Sequence, residues 1–561
     1  MDLNEQYIQE NALILLKGLW YSELPPIINF DDFSDCILNV LDDIENKNTE
    51  CYSFDNEYFV TEFKNISSPP YIRRPGVEGI TYYDFKHNKS LREMQLPNLK
   101  HYLAFIYNTL LMYDDIFQEL YMNNLNRTYV TASNSYLMFE KTFEIQTEYD
   151  DSSYEIEAGI FAEKNNKITG SAMLHRNRKL YYNKQDSYLY KMKIDLESFF
   201  PNLYTHYFHR IYNMDPFKSL EFPEKYFKFL DTFHQKINDN QTKGIPAGVF
   251  SSHVAAELCM LCVDYQINNL IADKNISYVR YVDDFTFFSN SQELLEDLKF
   301  QVQQILNEFR LRINGNKTEI LPCVFDYPTI DIEELKTYFS WMLNPETKSF
   351  TDSHLIKFKK YIAKLLTEKN TSQIKTLLTW FAKKINNNQL DFINTEYDCF
   401  SYLIQLSQTN NLLSSKAYNV IDAIMKSSDN KEVLLNKLLS ISDDIDLKFP
   451  NTILQIWHYY VITNNCESEL TKELINRLNI SNNNPIILSE LVSSGKNTNK
   501  ELFSYIKDSY TALSGTNNWK KEIMHSKYWL PLFVIRLKDT HDYEHWFNSN
   551  NYPDILKNFF L

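Results

Sequence analysis

The sequence predicts an α+β amino-terminal part followed by an all-α carboxy-terminal part, and three observations carry that division. From Tyr188 the chain alternates with period two, Tyr188, Tyr190, Met192 and Ile194 on one face and Leu189, Lys191, Lys193 and Asp195 on the other, which is a strand pattern. The run from Ser277 to Phe288 sets two β-rich, aromatic-rich stretches on either side of Asp283-Asp284 and reads as a hairpin with an acidic turn. Beyond about Asp331 strand signals nearly vanish, and amphipathic stretches of helical length take their place.

In chain order, the segment Leu91-Arg-Glu-Met-Gln-Leu-Pro97 precedes the Tyr188–Asp195 strand, and Tyr71-Ile-Arg-Arg-Pro-Gly-Val-Glu-Gly79 lies just before that segment. After Asp195 comes Leu-Glu-Ser-Phe-Phe-Pro-Asn-Leu-Tyr-Thr-His206, in which Phe199-Phe200 packs and Pro201 punctuates. Lys243-Gly-Ile-Pro-Ala-Gly248 then leads into a largely apolar helix from Val254 to Leu270. The acidic hairpin follows, and then Leu311-Arg-Ile-Asn-Gly-Asn-Lys-Thr-Glu-Ile320. The carboxy-terminal helices are expected at Asp352 to Glu368, Thr371 to Asn386, Leu412 to Lys426, Lys431 to Ser442, Asn451 to Thr463 and Glu467 to Leu478. Asn, Ser and Asp clusters such as Ser427-Ser-Asp-Asn430 and Ser481-Asn-Asn-Asn-Pro485 separate them, as turn chemistry and N-cap material.

Acidic pairs also stand at Asp31-Asp32, Asp42-Asp43, Asp114-Asp115 and Asp443-Asp444, where solvated turns are the ordinary reading. Asp283-Asp284 differs in having apolar strand-like sequence on both sides. Crowded carboxylates repel and raise one another's pKa, so a bound divalent cation is the usual reason to keep them ionised. Metal-assisted phosphoryl transfer is therefore the first expectation.

The ordered set around Asp195, Lys243–Gly248, Tyr281-Val-Asp-Asp284 and Leu311–Ile320 resembles motifs A, B, C and D of the reverse transcriptase palm, with Leu91–Pro97 similar to a fingers element. Only 10 glycines occur in 561 residues, yet Gly244 and Gly248 bracket one short loop and Gly315 lies in the fourth motif, which makes chance clustering a poor explanation. The resemblance implies a right-hand polymerase with fingers and palm over residues 1–330. It implies that Asp195 and Asp283 hold two Mg²⁺ ions about 3.5 to 4 Å apart, with Asp284 charging the turn beside them. Phe200 matches the aromatic that excludes a 2′ hydroxyl, Arg92 the triphosphate clamp with Lys86 or Lys89 as helpers, and Lys317 the lysine that acts on pyrophosphate. Gly244, Pro246, Ala247, Gly248 and Tyr281 complete the implied nucleotide site. A solvated surface lysine competes with the role given to Lys317. Tyr71–Gly79 is a candidate fingertip loop, in which Arg73 and Arg74 either touch phosphate or face water.

One position departs from the pattern. Familiar reverse transcriptases place glutamine in the Gly-x-Pro-Gln-Gly loop, where it helps position the templating nucleotide, and here Ala247 stands in its place. That loss suits relaxed or absent templating and draws the resemblance toward the bacterial abortive-infection (Abi) reverse transcriptases, which are similar in carrying an all-helical, repeat-like domain after the palm. The implied counterpart here is a HEAT-like domain over residues 331–561, although no fixed-period repeat is legible.

A formal charge of −16 disfavours a general binder of extended duplex. Local basic character remains at His175-Arg-Asn-Arg-Lys179, with Tyr181, Tyr182 and Lys184 nearby, and at Lys357, Lys359, Lys360 and Lys364, where a solvated helix face is the competing reading. Cys259-Met-Leu-Cys262 lies in the apolar helix and reads as core rather than zinc site. Seven cysteines without framework spacing, an acidic amino terminus and no long apolar run suggest a cytoplasmic protein without a membrane span.

The sequence thus predicts Mg²⁺-dependent addition of deoxynucleoside triphosphates. The Abi resemblance implies antiphage defence, untemplated synthesis of single-stranded DNA attached covalently to a tyrosine, and a closed homo-oligomer. Two alternatives stand beside it: a templated reverse transcriptase copying a dedicated non-coding RNA, and a catalytically idle palm used as an interaction scaffold.

Overall fold

The computed structural model describes chiefly residues 15–28, 79–86, 90–111, 181–220, 224–238, 240–325, 332–340, 348–466, 484–494 and 527–531, with single residues and short strand pairs besides. Antiparallel pairs β1 (Tyr52–Asp55) with β2 (Phe59–Phe63), β3 (Ile80–Phe85) with β4 (Leu91–Leu96), β5 (Phe143–Ile145) with β6 (Tyr154–Ile156), and β7 (Ala162–Lys164) with β8 (Lys167–Thr169) precede the central sheet. That sheet is antiparallel and has the order β10 (Ile276–Tyr281), β11 (Asp284–Ser289), β9 (Tyr190–Asp195), β12 (Glu319–Pro322).

The alternation predicted for β9 decides which side chains meet which layer. Met192 and Ile194 join Tyr278, Phe285 and Phe287 in the main core, packed with the helices Phe250–Ile271 and Gln292–Glu308. Tyr278, Phe285 and Phe287 stack with ring centroids 5.2 to 6.5 Å apart across β10 and β11. The other face carries Lys191, Lys193 and Asp195. Its lower part is covered by a helical segment over 181–187, where Val279, Phe288 and Cys323 pack with Tyr181 and Tyr188. Lys191 is fully buried there and donates to Gln185 Oε1 at 2.6 Å and Tyr181 Oη at 3.1 Å, which is how a charged position in the strand is accommodated.

The Phe250–Ile271 helix is buried along most of its length, so its apolar composition is that of a central core element. Cys259 and Cys262 are both fully buried within it. No side chain caps its start at Val249. The Phe250 N–H donates instead to the Gly18 carbonyl at 2.9 Å, so the amino-terminal segment satisfies one of the donors that a helix start leaves open. Ser291 caps the Gln292–Glu308 helix by accepting from the Leu294 N–H.

Helices at Asp352–Thr367, Thr371–Asn386, Ser414–Ser427, Lys431–Leu439 and Ile453–Asn465 fall close to the predicted stretches; Glu467 to Leu478 lies outside the described residues. Four features differ from the prediction. Lys431 to Ser442 is broken after Leu439 and resumes as Ser442–Lys448, and a helix at Glu396–Thr409 is added. Asn430 does not cap through its side chain; Ser428 Oγ accepts from the Asn430 N–H at 2.9 Å and builds a turn. A two-residue parallel pair, β13 (Ser349–Phe350) with β14 (Asp391–Phe392), ties the strand-poor region together. Elsewhere the Asn370 and Thr452 side chains cap helices, accepting from the N–H groups of Gln373 and Gln455.

The helical part contacts the β3–β4 hairpin directly. Tyr83 N–H donates to Asn451 O at 2.9 Å, Asn484 Nδ2 donates to Thr81 O at 3.0 Å, and the Phe85 and Phe449 rings meet edge to face. Glu23 adds a second join: its carboxylate accepts from Ser415 Oγ and lies 3.5 Å from Lys375 Nζ, while its carbonyl accepts from Trp457 Nε1 at 2.7 Å. Among the described residues no helix is long and apolar enough to cross a membrane.

Candidate active site

Register brings the acidic residues together. Asp195 ends β9 opposite Asp284 at the start of β11, and Asp284 in turn stands opposite Tyr281 at the end of β10. Residues directly opposite in a sheet share a face, so Tyr281, Asp284 and Asp195 form one row on the face away from the main core. The hairpin loop is only Val282-Asp283. Val282 adopts φ 56°, a left-handed conformation that a β-branched residue rarely takes.

Electrostatics mark the row as short of positive charge. Burial first, then the Asp284 charge, pushes the Asp283 carboxyl up to about 6; Asp195 adds to the rise and Arg92 opposes it. Partial burial and the Asp195 charge also raise Asp284, and Lys317 pulls the other way. On Asp195, Lys317 Nζ lies 2.9 Å from Oδ1 and Asn314 Nδ2 donates to Oδ2 at 3.0 Å. The loop supplying both is anchored to the strand, since the Asn314 N–H donates to Asp195 O at 2.8 Å and Glu197 N–H donates to Arg312 O at 2.8 Å.

Among the described residues no three His, Cys, Asp or Glu side chains already converge as a metal cage. The donor set nevertheless fits Mg²⁺, a hard cation that is usually held by one or two carboxylates together with substrate phosphates rather than by an all-protein cage. Asp195 and Asp284 supply such a pair, with Asp283 next in the chain.

The glycine loop bonds to the segment that follows Asp195 and to β4. Gly244 (φ 86°) is buried, its N–H donates to Leu203 O at 2.8 Å, and Ile245 N–H donates to Phe200 O at 3.0 Å. Pro246 is buried beside it, and the Ala247 carbonyl accepts from the Gln95 N–H on β4. Gly248 has φ 87°, so its backbone favours glycine, and a Cβ there would displace the Met94 methyl. Gly315 is different. A Cβ on it would meet nothing within 4 Å, so its weight in the sequence pattern has no steric counterpart.

Phe200 is half-buried, edge-on to Phe199 at 5.3 Å and to the His253 ring at 5.1 Å. Burial, with Arg92 assisting and Glu257 opposing, lowers His253 to about 4, so that ring is neutral near pH 7. Arg92 is exposed on β4, and its charge acts on both Asp283 and His253, which puts the fingers hairpin within electrostatic reach of the acidic turn. Tyr281 and Lys86 are exposed. Arg73, Arg74, Lys89 and the 175–179 basic run lie outside the described residues. Lys357, Lys360 and Lys364 are exposed on the Asp352–Thr367 helix, while Lys359 lies over the Tyr402 ring.

Sequence reasoning missed Arg280, Glu257 and Asp264. Arg280 is fully buried on the core face of β10 and is held by both acids of the Phe250–Ile271 helix. The signal was present: alternation through Tyr278, Arg280 and Phe285 puts a guanidinium on the core face, and Glu257 and Asp264 stand seven residues apart on one side of an apolar helix.

Residues 134–350 match the family model described as reverse transcriptase (RNA-dependent DNA polymerase). The chain carries a reverse transcriptase domain. That domain makes it a nucleotidyltransferase of the RNA-directed DNA polymerase type, and it spans the acidic row, the glycine loop and the Lys317 loop. Among solved structures, apo telomerase from Candida Tropicalis is 12% identical with a TM-score of 0.30, covering 71% of each chain. Telomerase from Candida albicans in complex with a TWJ fragment of telomeric RNA is 12% identical with a TM-score of 0.31, over 68% of this chain and 64% of that one. Scores this low bear on neither the activity nor the partners of the reverse transcriptase domain described here.

Proposed function

We propose that this protein is an antiphage reverse-transcriptase-like polymerase that adds deoxynucleotides at the acidic site formed by Asp195, Asp283 and Asp284, without a template and primed by one of its own tyrosines. The reading rests above all on the opposition of Asp195 and Asp284 across β9 and β11 within the reverse transcriptase domain. In it, residues 1–330 are fingers and palm and residues 331–561 a separate helical-repeat domain, assembled as a closed homo-oligomer in the cytoplasm.

Each residue then has a task. Asp195, Asp283 and Asp284 hold Mg²⁺; when bound, two such ions lower the pKa of the attacking hydroxyl and neutralise the leaving pyrophosphate. Arg92 reaches the triphosphate from β4, where a planar guanidinium pairs with phosphate oxygens. Phe200 fills the space of a 2′ hydroxyl, backed by the neutral His253 ring. Gly244, Pro246, Ala247 and Gly248 bring backbone close to the nucleotide, and Tyr281 flanks it on the same row as Asp284. Lys317 leaves Asp195 when the site fills and donates to the departing pyrophosphate.

Absent templating is supported by Ala247, which offers no side-chain amide to a templating base, and by the net charge of −16. Protein priming follows from the Abi resemblance; a phenolic hydroxyl delivered in line to the row can attack an α-phosphate as a 3′ hydroxyl does. The test is to give nuclease-treated protein one labelled deoxynucleotide at a time with Mg²⁺. Label is expected to stay with the polypeptide on a denaturing gel and to shrink to a small adduct after DNase. Product that forms only with a particular RNA, and complements it, would establish templated synthesis instead.

A further inference from the structure

Arg280 uses all five of its N–H groups. Nε contacts both oxygens of Asp264 at 3.0 and 3.1 Å, Nη2 donates to Asp264 Oδ2 at 2.6 Å and Glu257 Oε1 at 2.9 Å, and Nη1 donates to Glu257 Oε2 at 2.9 Å. The remaining Nη1 hydrogen goes to the carbonyl of Val282 at 2.9 Å. The bonds to Asp264 and Glu257 balance buried charge, a task that an apolar core often performs as well. The bond to Val282 serves a different end, because it reaches the one residue of the acidic turn whose backbone is unfavourable for its side chain. A valine at φ 56° persists only where its surroundings over-determine it. The Val282 carbonyl belongs to the peptide that leads into Asp283.

We propose that Arg280 is the positioning residue of the acidic turn: clamped from behind by Glu257 and Asp264, it grips the Val282 carbonyl and thereby aims Asp283. This rests on the nucleotidyl-transfer reading above and adds to it an explanation of how a strained turn is kept in one geometry. The fork shape is required. One planar group has to face two carboxylates on a helix and a carbonyl in the hairpin turn at once, which a lysine ammonium cannot do.

The experiment compares single-nucleotide incorporation by the full-length protein and two altered forms. In the first, Arg280→Met is combined with Glu257→Gln and Asp264→Asn, which removes the guanidinium without stranding buried carboxylates. In the second, Arg280→Lys keeps the charge and loses the fork. A misaimed carboxylate is expected to lower kcat by about a hundredfold in either form, with KM for the nucleotide changing by no more than about threefold. Adding Val282→Gly removes the penalty for positive φ and is expected to return roughly tenfold of the lost kcat, a rescue that a general core defect does not show. Wild-type kcat in both altered forms would overturn the proposal, and so would a loss that Val282→Gly does not relieve in either. Absence of incorporation by the wild-type protein would instead strike the nucleotidyl-transfer reading itself. Should the triple form fail to melt cooperatively, the Arg280→Lys comparison decides alone.

Discussion

The Lys317 ammonium lies 2.9 Å from Asp195 Oδ1, so the structure already holds a cation against the carboxylate proposed to bind metal. Lys317 is largely exposed, and an ion pair of that kind contributes at most about 1 kcal/mol. Mg²⁺ therefore competes with a weak occupant. Lys317→Met is expected to lower the Mg²⁺ concentration needed for half-maximal incorporation by up to about fivefold, the equivalent of that energy, while lowering kcat because the donor to pyrophosphate is gone. A metal titration of incorporation rate reads both effects. Tighter Mg²⁺ use with unchanged kcat would make Lys317 only a counter-ion.

Asp283 gives a pH signature in metal-free protein. Its folded-state value of about 6 lies above that of an unfolded aspartate. Between roughly pH 4 and 6 the folded state therefore binds the extra proton, and stability falls as pH rises through that window. The metal-free melting temperature should drop from pH 5 to pH 7 more in wild type than in Asp283→Asn, and Mg²⁺ at pH 7 should restore part of the loss. Equal pH dependence in the two proteins would refute the assignment of the strain to Asp283.

Phe200 sits edge-on to His253, with Ile245 bonded to its carbonyl. Phe200→Ala opens space without removing a charge. The ratio of ribonucleotide to deoxynucleotide efficiency is expected to rise by about tenfold or more, since the discrimination is steric. An unchanged ratio with activity preserved would leave Phe200 a packing residue.

Glu23 joins the amino-terminal segment to Ser415, Lys375 and Lys416 in the helical part. Its carboxylate is mostly shielded from solvent, so Glu23→Ala is expected to cost about 1–3 kcal/mol of stability, visible as a lower denaturation midpoint. Tyr21, two residues earlier, donates to Asp84 on the hairpin that carries Arg92. The same change should therefore raise KM for the nucleotide more than it lowers kcat. A lowered midpoint with unaltered KM would show that the join is structural only.

Much of this was legible in the sequence, for reasons that particular residues make clear. The alternation over Tyr190–Asp195 is a local property, with Tyr190, Met192 and Ile194 on the core side and Asp195 on the other. Tyr188 instead precedes the strand and stacks on Phe288, on the opposite face from the one its spacing predicts. Gly244 and Gly248 were legible because rare residues at positive φ announce themselves. Most helices after Asp352 follow from amphipathic spacing, but the Ile453–Asn465 helix is buried on every side over 453–463 rather than along one stripe, and Glu396–Thr409 is not among the predicted stretches. What escaped was pairing across long distances. Nothing local says that Arg280 meets Glu257 and Asp264, that Asn314 and Lys317 share Asp195, or that Thr81 and Tyr83 bond to Asn484 and Asn451. Asn430 looked like a cap because its type is right, yet cap geometry depends on a backbone that Ser428 sets.

The most direct test of the central claim is incorporation of a labelled deoxynucleotide by purified wild-type protein beside Asp195→Asn and Asp283→Asn, each first shown to melt as the wild type does. Each substitution removes one negative charge from the acidic site with almost no change of shape. Removal of such a carboxylate is expected to cut incorporation by about a thousandfold or more at saturating Mg²⁺. Incorporation at the wild-type rate by either folded variant would contradict the account and leave the acidic row without a catalytic role.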